Sequence, residues 1–159
     1  MKDKLKQLQR VIPFHFRVWS NVWVDKCMVL GYIDARDAMD LLDEVTWWMW
    51  QRDHKEVAGK TLWWIWIPVD WQMYWKRDTG TESNTEKEKW QISDSFKRAA
   101  VNWWVGRFLY SLPTMIITKE EARANKYDLT AFVRSKFSEQ LKERHDSLPD
   151  HIKHANKSK

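Results

Sequence analysis

The chain has 159 residues, 43% of them apolar and 31% charged, enough for one domain with a buried core and a tail. No apolar run approaches the roughly 20 residues of a membrane helix, the start Met1-Lys2-Asp3-Lys4 lacks the apolar stretch of a secretory signal, and the single Cys27 supports neither an internal disulfide nor a cysteine-rich metal site. A cytoplasmic protein without a membrane span is expected. Lys and Arg number 27 against 22 Asp and Glu, a net charge of +5 that permits a polyanionic partner without identifying one.

Residues 2–10 place Leu5 and Leu8 at i, i+3, which predicts a short amphipathic helix ended before Pro13. The alternation from Phe14 to Trp19 and the β-prone run from Cys27 to Ile33 predict two paired strands, with Cys27 packed between them. Asp34 can cap a following helix. Asp37 then sits at the capping-box position, and Ala38, Leu41, Leu42 and Val45 form one apolar face before an end near Trp47.

A second β region runs from Lys60 to Val69, apolar on both faces, and a third strand from Gln72 to Arg77. The Asp70-Trp71 step between them suits a two-residue hairpin turn poorly, because such a turn needs positive φ at both positions. A strained or longer turn is expected. Residues 79–88 read as an exposed polar loop. A strong helix follows, capped by Ser93 or Asp94, with Phe96, Ala99, Ala100, Trp103, Trp104 and Phe108 on its apolar face and Pro113 as its stop. Further helices cover 119–126 and 129–144, the second burying Phe132, Val133, Phe137 and Leu141. The reading divides the chain into a core domain at 1–117, C-terminal helices at 118–148 and a basic, disordered tail at 149–159.

The string Ser93-Asp94-Ser95-Phe96-Lys97-Arg98-Ala99-Ala100-Val101-Asn102-Trp103, then Gly106-Arg107-Phe108-Leu109-Tyr110, carries most of the functional signal. With Tyr32 to Asp37 and Leu42 to Val45 it closely resembles the Sak-like phage single-strand annealing proteins, related to the eukaryotic recombination mediator Rad fifty-two. The resemblance covers about residues 13–113, with the motifs in the same order. It implies an α+β fold with an antiparallel β-β-β-α core and flanking helices, assembled into an oligomeric ring. It also implies ATP-independent annealing of complementary strands in homologous recombination, with no cofactor, no metal and no catalytic residue. The alternative is a recombination mediator that binds single-stranded DNA without annealing it. The partners implied are single-stranded DNA, further copies of the chain, and a phage exonuclease or host single-strand binding protein.

By the same resemblance the DNA-binding residues are Lys97 and Arg98, then Arg17 on the first strand, Lys60 at the start of the second β region, and Lys87 and Lys89. Phosphate contacts from such residues are indifferent to sequence, as annealing of arbitrary complements requires. The bland reading of Lys97 and Arg98 is a solvated helix face paired with Asp94. Arg107 is expected to serve structurally, capping carbonyls or bridging subunits, rather than to reach DNA, and Arg36 to form a salt bridge within or between subunits.

Asp34, Asp37, Asp40, Asp43 and Glu44 are explained more economically by capping and solvation than by a metal nuclease. His15, His54, His145, His151 and His154 have no ligand spacing. The departures from the family concern glycine: the chain has 13 Trp and only 4 Gly, and Trp64, Trp66, Trp71, Trp90 and Trp104 stand where the family usually has Gly, with a further glycine turn near Trp47 and Trp48. Such rings could be stacking platforms for bases, but large rings fit turn and close-packing positions poorly, and a chain substituted at its glycines or a sequence assigned imperfectly there is the favoured reading.

Overall fold

A computed structural model describes residues 2–58, 60–79 and 87–153, the side chains of 2 and 87–93 excepted. Helix α1 (Lys2–Leu5) continues into a 3-10 turn at Lys6–Gln9 that buries Leu8. Strands β1 (His15–Asn21) and β2 (Lys26–Tyr32) pair antiparallel, with a bulge between Val18 and Ser20. Helix α2 (Ala35–Thr46) begins with the expected capping box: the Asp34 side chain accepts from the Arg36 and Asp37 amides, and the Asp37 carboxylate accepts from the Asp34 amide. Its Ala38, Leu41, Leu42 and Val45 are all buried.

Strands β3 (Gln51–Val57), β4 (Lys60–Val69) and β5 (Gln72–Thr79) form a three-stranded antiparallel meander, against which helix α3 (Lys87–Asn102) packs. This is the β-β-β-α order that the resemblance implied. Trp63, Ile65 and Ile67 face inward from β4 onto Phe96, Ala99, Ala100 and Trp103, and the Trp103 indole Nε1 donates to the Ile65 carbonyl at 3.0 Å.

The sheet is not single. Strand β6 (Met115–Thr118) pairs with β2 and makes a second three-stranded sheet, ordered β1-β2-β6. Phe16, Cys27, Val29, Met115 and Ile117 form its core with Val133, closed by Phe132, Phe137 and Leu141. These come from α5 (Leu129–Lys136) and its successor α6 (Ser138–Ser147), which break at Phe137 rather than forming one helix. Helix α4 (Lys119–Ala124) starts with a second capping box, between Thr118 and Glu121.

Other expectations need correction. Strand β3 lies outside the sequence expectation because six of the seven residues of Gln51–Val57 are polar and all seven are exposed, which leaves no hydrophobic alternation to mark it. β6 is only four residues long. α3 begins at Lys87, six residues before the expected cap at Ser93 or Asp94, so the expected loop loses its last two residues to the helix and Thr79 to β5; 80–86 lie outside the described residues. The tail reading fails for α7 (Asp150–Lys153), which packs on the N-terminal 3-10 turn, with the Val11 amide donating to the Ile152 carbonyl at 3.3 Å. Residues 154–159 lie outside the described residues.

The tryptophan positions acquire a physical meaning here. Trp47, Trp48, Trp71 and Trp104 all have positive φ, at 57°, 59°, 70° and 70°, a region where a bulky side chain meets the backbone and glycine does not. Asp70 and Trp71 do form a two-residue turn, since Val69 pairs with Gln72, and φ is positive at both. The turn is therefore strained rather than longer.

Candidate nucleic-acid interface

Three elements bring the central basic residues together. Arg17 projects from β1, exposed, with its guanidinium 5.3 Å from the centre of the Tyr32 ring on β2. Lys97 and Arg98 leave α3 on the side away from buried Phe96, Ala99 and Ala100. Lys97 is half-buried, and its ammonium is held below the usual lysine value first by burial and then by repulsion from Arg17, while Asp94 and Asp34 oppose the shift. Residues far apart in sequence thus share one electrostatic site, where Arg17 on β1, Lys97 on α3 and the N-cap of α2 meet.

The nearby carboxylates are shared between this group and other partners, Asp94 being the strongest charge acting on Lys97. Asp94 lies 3.5 Å from the Arg98 Nε, an i, i+4 pair with both side chains 45% exposed, so it contributes little stability. Asp34 spends one carboxylate oxygen on two backbone amides of α2. Among the described residues neither Arg17 nor Lys97 has an ion-pair partner within 4.0 Å. With Arg17 and Arg98 exposed and Lys97 close enough to feel the charge of Arg17, the group can receive an external anion such as a phosphate.

The other expected residues do not join this group. Lys60 opens β4, opposite Val57, in the β3-β4-β5 sheet, whereas Arg17 lies in the β1-β2-β6 sheet. Lys87 and Lys89 lie in the first turn of α3, and their side chains fall outside the described residues. The early start of α3 also moves Lys97 and Arg98 about three turns into the helix, so helix-end amides cannot assist them.

Arg107 caps as expected, donating from Nε to the Val101 carbonyl at 2.8 Å. Arg36 is exposed and forms no ion pair among the described residues. Sequence reading missed Lys76, whose ammonium donates to the Asn102 carbonyl at 2.6 Å and lies 4.3 Å from the Trp104 ring centre. Burial, then Arg107, holds Lys76 below its ordinary value. Nothing in the strand pattern marks a lysine on the inward face of β5.

Asp43 and Glu44 of α2 have structural partners. Asp43 accepts from the Trp50 indole at 2.6 Å, and Glu44 takes both terminal nitrogens of Arg10. Among the described residues no three His, Cys, Asp or Glu side chains are grouped to hold a metal ion, and no helix is long and apolar enough to cross a membrane.

No protein-family model matches the chain, and no solved structure does. Two curated relatives do. The chain is similar to a protein of Deinococcus deserti named "Single-stranded DNA-binding protein DdrA", with 30% identity over 129 residues, covering 77% of this chain and 64% of the relative. Its namesake in Deinococcus radiodurans is 29% identical over 129 residues, covering 77% and 62%. The chain therefore spans a little under two thirds of the length of the relatives it resembles, each of which carries single-stranded DNA binding in its name.

Proposed function

We propose that this chain binds single-stranded DNA through its phosphates at Arg17, Lys97 and Arg98, and that it anneals complementary strands without ATP as a homo-oligomeric ring. The observation that carries the reading is that Arg17 and Lys97, from separate elements, lie close enough for their charges to interact, with Arg17 and Arg98 exposed to solvent. The similarity to the DdrA proteins, named for single-stranded DNA binding, supports the same ligand. The protein then works by binding rather than by covalent catalysis. Phosphate contacts leave base edges free, so that a second strand can test its pairing against a held one. A ring of such subunits would grip many phosphates in series, each contact weak and reversible. The relatives' names mention binding alone, which keeps a mediator without annealing activity as the second reading.

The ligand is tested by fluorescence anisotropy with a labelled oligothymidylate across a salt series. The logarithm of affinity should fall linearly with the logarithm of salt, by roughly 0.7 per phosphate neutralised. Lys97→Ala with Arg98→Ala should weaken binding and reduce that slope by about 1.4 per subunit engaged. Unchanged affinity and slope in a folded double variant would remove these residues from the interface.

A further inference from the structure

The β3-β4-β5 sheet covers α3 with one face and leaves the other without a covering element among the described residues. Because Trp63, Ile65 and Ile67 turn inward, strand alternation turns Leu62, Trp64 and Trp66 outward. The register extends this face sideways: Trp66 stands opposite Trp75, Trp64 opposite Arg77, Leu62 opposite Lys55, and Lys60 opposite Val57. Trp75 is 53% exposed, and Trp64 and Trp66 are partly exposed, neither packing against the hydrophobic core.

The charge on this surface is one-sided. Lys55, Lys60 and Arg77 are exposed cations, against the single carboxylate of Asp53. The Arg77 guanidinium already lies 5.6 Å from the Trp75 ring centre, so a cation is held beside a ring that could receive a base. Trp64 and Trp66 stand roughly 7 Å apart along β4, with Trp75 alongside. Aromatic rings interleaved with cations on an open surface form the pattern that stacks successive bases of a single strand while neutralising its phosphates. A protein partner would account for the rings but gains nothing in particular from the three cations.

We propose that this outer face, centred on Trp64, Trp66 and Trp75, is a base-stacking platform for single-stranded nucleic acid, separate from the phosphate site at Arg17, Lys97 and Arg98. The proposal rests on the DNA-binding reading and adds a second surface to it. It also gives Lys60 a role, since Lys60 belongs to this face and not to the other site.

The test compares an oligothymidylate with an abasic sugar-phosphate oligomer of equal length, at one salt concentration, by anisotropy. The intact protein should prefer the base-bearing strand by about fivefold or more, the lower end for one stacked base. Trp64→Leu with Trp66→Leu and Trp75→Leu should abolish that preference and leave affinity for the abasic oligomer unchanged. Should that variant fold poorly, photocrosslinking of the intact protein to a bromodeoxyuridine oligomer, mapped by peptide mass spectrometry, should label residues 60–77; labelling confined to other peptides overturns the proposal. Equal affinity of the intact protein for both oligomers overturns the platform and leaves the DNA-binding reading standing, whereas binding to neither removes both. An altered sedimentation coefficient in the leucine variant with its base preference intact would make the face a contact between copies, which also overturns the proposal.

Discussion

Replacing Trp71 by glycine should stabilise the protein, against the general rule that substitutions destabilise. Trp71 has φ 70° in the two-residue turn between β4 and β5, and its side chain is fully exposed at 102%. A left-handed conformation costs a residue with a Cβ about 1–2 kcal/mol. No burial is lost on removing the ring. Glycine widens the freedom of the unfolded chain and gives back about 0.4–1 kcal/mol, so the net gain is roughly 0.5–1 kcal/mol. For a domain of this size that raises Tm by about 1–4 °C. Urea unfolding followed by circular dichroism should show a higher midpoint with an unchanged m value. Trp71→Ala is the control, since alanine keeps the Cβ and should recover little. If Trp71→Gly proves no more stable than Trp71→Ala, the argument that backbone strain resides at this turn is refuted.

The remaining expectations use the same equipment. Asp34→Ala removes the acceptor for two α2 amides and should lower stability by about 1 kcal/mol; Asp34→Asn, which keeps an acceptor, should recover most of it, and equal losses would mean the cap is not the cause. Ile117→Ala opens a cavity in the core shared by β6 and α5 and should cost about 2–5 kcal/mol. Amide exchange in α5 and α6 should accelerate with it, and unaltered exchange there would show that these helices do not fold with the β1-β2-β6 sheet. Glu121 is held below its ordinary 4.5 by the Lys136 ammonium first and the Thr118 amide second. Its folded value is depressed, so the stability it adds is complete above 4.5 and is lost as pH falls through the lower folded value. The Tm advantage of the native chain over Glu121→Gln should therefore shrink on acidification below 4.5, and a constant difference would contradict the assignment.

Local chemistry was the legible part of this fold. Asp34 and Asp37 announced a capping box because both side chains act within one turn, and Ala38, Leu41, Leu42 and Val45 showed their common face by spacing alone. Strand β3 left no trace, since a fully exposed edge strand owes its place to β4 rather than to its own side chains. The separation into two sheets depends on which strand β6 joins, a choice between Met115–Thr118 and distant β2 that no local pattern records. The same holds at the candidate site. Lys97 and Arg98 are neighbours in a motif, yet the electrostatic link between Lys97 and Arg17 exists only in the folded chain, where it joins α3 to β1. Lys60, grouped with these residues by resemblance, opens β4 in the sheet that α3 packs against, whereas Arg17 belongs to the other sheet. The positions of Trp47, Trp48, Trp71 and Trp104 were suspect as sequence, and their positive φ angles give the physical reason.

The most direct test of the central claim is the rate at which the purified protein pairs two complementary oligonucleotides, one carrying a fluorophore and the other a quencher, with no nucleotide cofactor present. The intact chain should accelerate pairing well above the spontaneous rate, ATP should add nothing, and Lys97→Ala with Arg98→Ala should return the rate close to spontaneous. Tight binding of either strand with no acceleration would contradict annealing and leave only a single-stranded DNA-binding mediator, and full acceleration by the folded double variant would contradict the site.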